Sequence, residues 1–197
     1  MHLTEKVLNF WFGESNLKLK LKPRRIWFES SSEFDQQIHE NFIHSYEDAV
    51  AGRLDNMKEN QKSCLALIII LDQFSRNLFR ESPKAFAADS KAREVTYYAI
   101  TQGFDKSISH VAKLFFYLPL EHSEIMDDQE QSLKLINAIN DKRISKAATE
   151  HYETVLRFGR FPHRNAVLGR ENTPEEKIYL KKIIFMTILL EKLSQIY

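Results

Sequence analysis

The sequence lacks the features that place a protein outside a reducing, aqueous compartment. Its 197 residues include one cysteine, Cys64, so no disulfide can form within the chain, and we expect a cytoplasmic location. The first ten residues have no basic start followed by a long apolar core, which argues against a secretory signal. The aliphatic run Leu65–Leu71 is far shorter than the ~20 residues of a membrane-spanning helix. These absences predict a soluble protein without membrane contact.

Charge of one sign is also lacking over the chain as a whole. There are 28 lysines and arginines against 27 acidic residues, a formal charge of +1. This balance argues against a polyanion bound across the whole surface, so a nucleic-acid partner is not expected. One local excess, the basic segment 18–25, fits a solvated loop anchored by Trp27 and Phe28, or a strip for anionic lipid or nucleic acid.

Glycine and proline are scarce, with five of each, and none falls inside a segment of helical periodicity. The pattern predicts an all-α protein, and residues 1–197 are expected to form one domain because no Pro- or Gly-rich linker interrupts them. The expected helices are Thr4 to Gly13, Ser31 or Ser32 to Gly52, Gln61 to Phe79, Pro83 to Gly103, Ser109 to Pro119, a segment carrying Leu133, Ile136 and Ile139, Asp141 to Phe158, and a last helix from Pro174 that Ile178 to Ile196 packs down.

The helix predicted from Gln61 to Phe79 carries charge on a buried face. Its Leu65–Leu71 run is apolar on all sides, which is typical of a helix at the centre of a domain. At 3.6 residues per turn, Asp72 and Arg76 fall on one narrow stripe with Leu65 and Ile69. Buried charges are costly unless they are paired. The pattern fits either a structural ion pair or the floor of a polar site.

A second unusual stretch, residues 157–176, is rich in arginine. Four arginines and His163 fall between positions 157 and 170, and Gly159, Pro162 and Gly169 are expected to keep the segment out of regular helix. In the helix before it, His151 lies on the apolar stripe and is expected to be a core histidine. The arginines are Arg157, Arg160, Arg164 and Arg170.

Several motifs together resemble the mainly bacterial family known as domain of unknown function 924. The resemblance covers nearly the whole chain, with Ser75 at a position where the family often has proline. It implies an all-α, tetratricopeptide-like (TPR-like), right-handed superhelix of antiparallel helix pairs, without an established activity. The motifs are FWFG at Phe10–Gly13, WF at Trp27–Phe28, LDQFSRNLFR at Leu71–Arg80, AFAAD at Ala85–Asp89, FFYLPLEHSE at Phe115–Glu124 and FGRFPHRNAVLGR at Phe158–Arg170.

These motifs bring polar side chains that we expect to converge in one cleft. Guanidinium groups match carboxylates and phosphates in a bidentate manner, and acidic neighbours would orient them. We therefore predict a binding protein, not an enzyme, that takes a small anion or an acidic peptide end without a cofactor. The predicted site residues are Asp72, Arg76, Glu121, His122, Arg160, His163, Arg164 and Asn165.

Three alternatives stay open at this point. The polar residues could form only a structural network, with Asp72 paired to Arg76 and Glu121 paired to one loop arginine. A hydrolase-like site would use Glu121 or His122 as the acid–base group, with Arg160 or Arg164 stabilising negative charge. A TPR-like concave surface would instead hold a peptide. A metal site from His122, His163 and Glu121 is not predicted, because the spacing matches no metal motif.

Overall fold

A computed structural model describes residues 2–27 and 29–183. Across these two ranges the chain is helical and has no β-strand, which confirms the all-α prediction. No helix in these ranges is long and apolar enough to cross a membrane. The α-helices are α1 (Leu3–Phe12), α2 (Ser32–Val50), α3 (Gln61–Ile68), α4 (Ser75–Leu78), α5 (Asp89–Thr101), α6 (His110–Glu121), α7 (Met126–Asn137) and α8 (Lys142–Phe158), and residues 174–183 are also helical.

The most deeply buried segment is the one that the sequence predicted as a central helix. Every residue from Cys64 to Leu71 is fully buried, as expected for a helix that is apolar on all sides. The helix is continuous but not uniform, because a π-helical segment, Ile69–Phe74, separates α3 from α4. π-Helical turns often occur at functional sites, and this one carries Asp72.

Aromatic rings join the N-terminal helices to this central segment. Phe74 lies 4.6 Å from Phe42 of α2 and 5.7 Å from Trp11 of α1, measured between ring centroids. Trp11 in turn packs edge-on against Phe115 of α6 at 5.6 Å. Burying each such ring stabilises the fold by about 1.5–3 kcal/mol. The cluster therefore fixes α1, α2 and α6 around the π-helical segment.

The second half of the chain stacks consecutive helices: α5 packs on α6, α6 on α7 and α7 on α8. Short connections between packed neighbours, such as residues 138–141, make these pairs antiparallel. Small side chains on α5 allow a close approach, since Ala92, Val95 and Ala99 are fully buried. The right-handed TPR-like superhelix implied by the resemblance stays a prediction.

Arg24 of the basic segment and Trp27, one of its expected anchors, hold the end of α1. Arg24 donates to the carbonyls of Phe10 and Trp11 at 2.7 and 2.8 Å, and the indole of Trp27 donates to Trp11 at 2.9 Å. The last carbonyls of a helix have no partner within the helix. Arg24 supplies the hydrogen-bond donor that two of these carbonyls lack. This contact agrees with the loop interpretation of the basic segment. Its other expected anchor, Phe28, lies outside the described residues.

Three helix boundaries differ from the sequence prediction. Helix α1 begins at Leu3, before the expected cap Thr4. Pro83 opens a short 3-10 turn, Pro83–Phe86, and α5 starts separately at Asp89. Pro119 does not end α6, which continues to Glu121. A proline inside a helix lacks an N–H donor and its ring crowds the preceding turn, but the turn after Pro119 still closes, because the His122 amide donates to the Leu118 carbonyl at 2.8 Å.

The last helix opens at residue 174 as predicted. Thr173 and Glu176 form a reciprocal capping box, with the Glu176 amide donating to the Thr173 hydroxyl and the Thr173 amide donating to the Glu176 carboxylate. The first apolar residue of this helix does not pack against the domain as predicted, since Ile178 is 71% exposed. The remainder of that prediction, from residue 184 to Ile196, lies outside the described residues.

Candidate functional site

Asp72 is the centre of a buried polar group. It is 1% exposed, and its carboxylate accepts hydrogen bonds from His122 Nδ1 at 2.9 Å and Gln73 Nε2 at 2.6 Å. Arg76 lies 3.2 Å away and also donates to the Asp72 carbonyl. Burial disfavours the charged form, but Arg76 and His122 outweigh it and hold the pKa of Asp72 well below its usual range. Asp72 is therefore a carboxylate at neutral pH.

A second carboxylate, Asp89 at the start of α5, bridges two arginines. Both of its oxygens accept from Arg76 at 3.2 Å, and Oδ2 lies 3.7 Å from Arg164 Nη1. Burial raises the pKa of Asp89, although Arg76 opposes the shift. Sequence reasoning omitted Asp89 from the predicted site, despite its place at the end of the AFAAD motif. The helix predicted from Pro83 to Gly103 placed Asp89 in its interior, whereas in the structure Asp89 is the first residue of α5.

Arg164 is a buried cation with an incomplete set of partners. It is 7% exposed, and its guanidinium lies 4.7 Å from the ring centre of Phe86 and 4.6 Å from that of Phe161. Within the described part of the chain, its Nε has no hydrogen-bond partner. Burial and the nearby charge of Arg76 lower the pKa of Arg164 to about 10. The guanidinium stays charged at neutral pH, but its hydrogen bonds to the surrounding residues do not fully offset the cost of burying that charge.

His122 completes this group from the end of α6. Burial lowers its pKa, and the charges of Arg76 and Arg164 act in the same direction, while Asp72 opposes them. The imidazole is therefore neutral at pH 7. Because Nδ1 contacts the Asp72 carboxylate, we assign the proton to Nδ1, which leaves Nε2 as the basic nitrogen. The side chain is 19% exposed and so is reachable from solvent.

Two of the predicted site residues, Arg160 and Asn165, hold the arginine-rich segment in place. Arg160 makes a bidentate pair with Glu176 at 2.7 and 2.9 Å. Asn165 is fully buried, donates to Asn172 at 2.7 Å and accepts from Arg170 at 2.9 Å. These contacts fix the loop on the final helix. The structure does not bring Arg160 or Asn165 to the Asp72–Asp89 group.

The last two predicted residues lie to one side of that group. His163 is exposed and its ring centre lies 5.4 Å from that of Phe161. Glu121 is 5% exposed, and its Oε1 lies 3.2 Å from His151 Nδ1. Burial and the charge of Asp72 raise the pKa of Glu121 to about 7. The suggested pairing of Glu121 with a loop arginine is therefore wrong, because its closest ionisable partner among the described residues is His151 of α8.

Comparison with known proteins agrees with the resemblance seen in the sequence. The family model described as bacterial protein of unknown function, DUF924, matches residues 7–183. The chain belongs to the DUF924 family. It is similar to a solved structure of ATU0120, a protein of unknown function from Agrobacterium tumefaciens, with 37% identity and a TM-score of 0.84 over 91% of this chain and 97% of that one. No protein in the curated set matches.

Other polar residues of the DUF924 motifs in this chain hold elements together. Asn77 donates to Asp35 of α2 at 2.7 Å. Glu124 pairs with Arg170 at 2.7 and 2.9 Å and accepts from the Phe161 amide at 2.8 Å. These contacts tie α4 to α2 and the arginine-rich segment to the α6–α7 turn. They position Arg164 without adding a group that faces a ligand.

Metal and thiol chemistry find no support in this part of the chain. Within residues 2–27 and 29–183, no group of three His, Cys, Asp or Glu side chains is arranged to hold a metal ion. Cys64 is buried, and burial raises the pKa of its thiol to about 12. A thiol of that pKa is almost wholly protonated at neutral pH and is a poor nucleophile.

Proposed function

We propose that this DUF924 protein binds a small carboxylate or phosphate, without catalysis, at Arg164. The observation that carries the proposal is the buried guanidinium of Arg164, whose Nε lacks a partner among the described residues and whose nearest carboxylate, Asp89, is 3.7 Å away. A buried cation without full hydrogen bonding is costly. An anion placed against Arg164 would offset that cost.

The surroundings of Arg164 suit a planar anion. The guanidinium lies over the rings of Phe86 and Phe161, and cation–π contacts of this kind restrict its orientation. A guanidinium held in one plane presents two donors in the geometry that carboxylate and phosphate oxygens accept. His122 adds no donor for the anion, because its proton lies on Nδ1 toward Asp72 and its Nε2 is an acceptor.

Thermal-shift measurements test the proposal with three probes: inorganic phosphate, glutarate, and an acetylated dipeptide with either a free or an amidated C-terminus. A ligand at a hundred times its Kd stabilises by about 2.7 kcal/mol, or roughly 5–10 °C for a chain of this size. We expect a shift of this size with at least one anion. A response to phosphate alone identifies a phosphate site, and a response to the free but not the amidated peptide identifies a peptide end.

Variants of Arg164 show whether the response comes from this site. Arg164→Gln should abolish the shift, and Arg164→Lys should weaken it because a lysine lacks the planar pair of donors. Arg53→Gln is the matched control, since Arg53 is exposed and pairs with Asp48 on the surface. No response from the wild type, or the same response in Arg164→Gln, would contradict the proposal. The structural-network interpretation would then stand.

A hydrolase-like site is a second candidate, favoured by the Asp72–His122 contact of 2.9 Å. A carboxylate that holds a neutral histidine in one tautomer is the usual support for a general base. The acid–base group would be His122, because Glu121 faces His151. The group that stabilises negative charge would be Arg164, because Arg160 is paired with Glu176. A binding protein keeps its ligand response in His122→Asn, whereas a hydrolase loses turnover of carboxylic or phosphoric esters.

Three broader predictions belong with this proposal. The single cysteine, which is buried, is consistent with a cytoplasmic location. The antiparallel stacking of α5 to α8 supports a TPR-like arrangement, in which a concave surface would present an acidic peptide end to the arginines. Nucleic acid is not proposed as a partner, because the net charge is only +1.

A further inference from the structure

A groove with apolar walls lies between α6, α8 and the segment before α2. Its volume is about 290 Å³, close to the lower end of the range for small-molecule pockets. Neither Arg76 nor Arg164 lines it, so it is distinct from the anion site. The side chains that form its walls include Trp27, Leu114, Leu118, Ile144 and Ala147.

A single buried carboxyl group lines this groove. Glu121 is 5% exposed and contributes to the lining. Its closest partner among the described side chains is His151 Nδ1 at 3.2 Å, but that nitrogen also approaches the Ala147 carbonyl at 2.9 Å. One imidazole N–H cannot satisfy both acceptors well. Glu121 therefore keeps acceptor capacity that faces the groove.

The charges at the mouth of the groove do not compensate Glu121. Asp141 and Arg143 also line the groove and lie 3.9 Å from each other. They carry opposite signs and are both tied to the N-terminal end of α8. Arg143 is 90% exposed, so its charge is screened by water. The net charge of the lining is therefore negative, with its buried part on Glu121.

We propose that this groove binds a small amphipathic amine, with its ammonium group on the Glu121 carboxylate and its apolar body against Leu114, Leu118 and Ile144. A carboxylate inside an apolar site needs an opposite charge or a hydrogen-bond donor to offset its lost hydration. An ammonium group supplies both, whereas a carboxylate ligand would repel Glu121. The volume suits one aromatic ring with a short alkylamine arm.

The test compares three probes of the same shape at pH 8: 2-phenylethylamine, 2-phenylethanol and 3-phenylpropionate. Binding is followed by tryptophan fluorescence, because Trp27 lines the groove and the chain has only two tryptophans. We expect the amine to bind at least about tenfold more tightly than the alcohol, as hydrogen bonds between charged groups typically give. The phenylpropionate should be the weakest of the three.

Variants locate the site. Glu121→Gln keeps the size of the side chain and should bring the amine down to the affinity of the alcohol, while the exposed control Glu130→Gln should bind like wild type. Leu118→Phe should narrow the groove and weaken both ligands without adding a tryptophan to the fluorescence signal. Arg164→Gln, which removes the proposed anion site, should leave amine binding unchanged, so the two proposals can fail separately.

Four results would overturn the inference. One is that none of the probes binds to the wild type. Another is that the wild type does not discriminate the amine from the alcohol. The third is that Glu121→Gln, shown by its thermal melt to be folded, binds the amine as tightly as wild type. Loss of amine binding in Arg164→Gln would likewise contradict the assignment to a separate groove.

Discussion

Two buried carboxyl groups, Asp72 and Glu121, show how neighbours decide charge inside the same fold. Asp72 is surrounded by Arg76, His122 and Gln73, and the pKa of its carboxyl lies well below the usual range. Glu121 has no comparable donors, so burial and the negative charge of Asp72 raise its pKa to about 7. Asp72 is therefore held as a carboxylate, whereas ionisation of Glu121 destabilises the folded protein.

The first prediction concerns Glu121→Gln and the pH dependence of stability. The folded state holds the Glu121 proton up to about pH 7, whereas the unfolded chain releases it near pH 4.5, so the carboxyl increasingly destabilises the fold as pH rises between these values. At pH 8 the variant should be more stable than wild type by about 3 kcal/mol. At pH 4 the two should be nearly equal.

Urea unfolding at pH 4 and pH 8 measures this difference. The control Glu130→Gln, at an exposed position of α7, should change stability little at either pH. A Glu121→Gln variant that is less stable than wild type at pH 8 would show that the carboxylate is well paired in the folded protein. It would also remove the physical basis for amine binding in the groove.

At the scale of elements, the end of α8 sets the course of the arginine-rich segment. Gly159 closes the helix with a φ of +68° and donates its amide to Val155 at 2.7 Å. Residues other than glycine rarely adopt this conformation. The turn sends the chain back toward α6, where the Phe161 amide meets Glu124. The position of Arg164 follows from this single reversal.

The second prediction is that Gly159→Ala destabilises the protein by about 1–2 kcal/mol, the usual cost of a left-handed alanine. A Cβ at this position would meet no atom within 4 Å, so the loss comes from the backbone and not from a clash. Gly159→Asn should lose less, because asparagine tolerates this region better. Equal stability of Gly159→Ala and wild type in chemical unfolding would contradict the assigned turn.

The central helix shows a feature that periodicity alone did not reveal. Its π-helical segment, Ile69–Phe74, changes which side chains share a face, because i→i+5 bonding alters the number of residues per turn. The sequence placed Asp72 and Arg76 on one stripe of a regular helix. The two residues do meet, but they also reach His122 and Asp89 on neighbouring helices.

On the scale of the whole molecule, the two halves meet at the central helix. One face of this helix packs against the aromatic cluster of α1 and α2, and its polar residues Asp72 and Arg76 reach α5 and the end of α6. Phe74 and Asp72 are two residues apart, yet Phe74 contacts Phe10 and Phe42 while Asp72 contacts His122. The packing of the aromatic cluster therefore supports the geometry of the site.

The third prediction is that Phe74→Leu lowers the free energy of unfolding by about 1–2 kcal/mol, because the smaller side chain leaves space in a close-packed cluster. Phe74→Ala should lose about 3–5 kcal/mol. The partly exposed Phe104 provides a control, and Phe104→Leu should lose much less. Similar losses at both positions in urea unfolding would contradict the central role of Phe74.

The sequence by itself determined the helical class, most helix positions and the family. Helical periodicity, caps and glycine stops are local properties, so Ser31, Gly13 and Asp141 could be assigned as boundaries before any contact was known. The motifs also marked Asp72, Arg76, His122 and Arg164, which the fold brings together. For Asp72 and Arg76 the local pattern pointed to the same residues, because it places two charges on the stripe of a buried helix.

Only the tertiary structure decided how those residues pair. Asp89 contacts Arg76 and Arg164, which lie 13 and 75 positions away in the chain. Arg160 is instead paired with Glu176, and Glu121 lines an apolar groove. Composition assigns the same chemistry to all arginines and all glutamates. Their roles diverge because the pairing and burial of each side chain depend on neighbours from distant helices, which only the packed fold brings within reach.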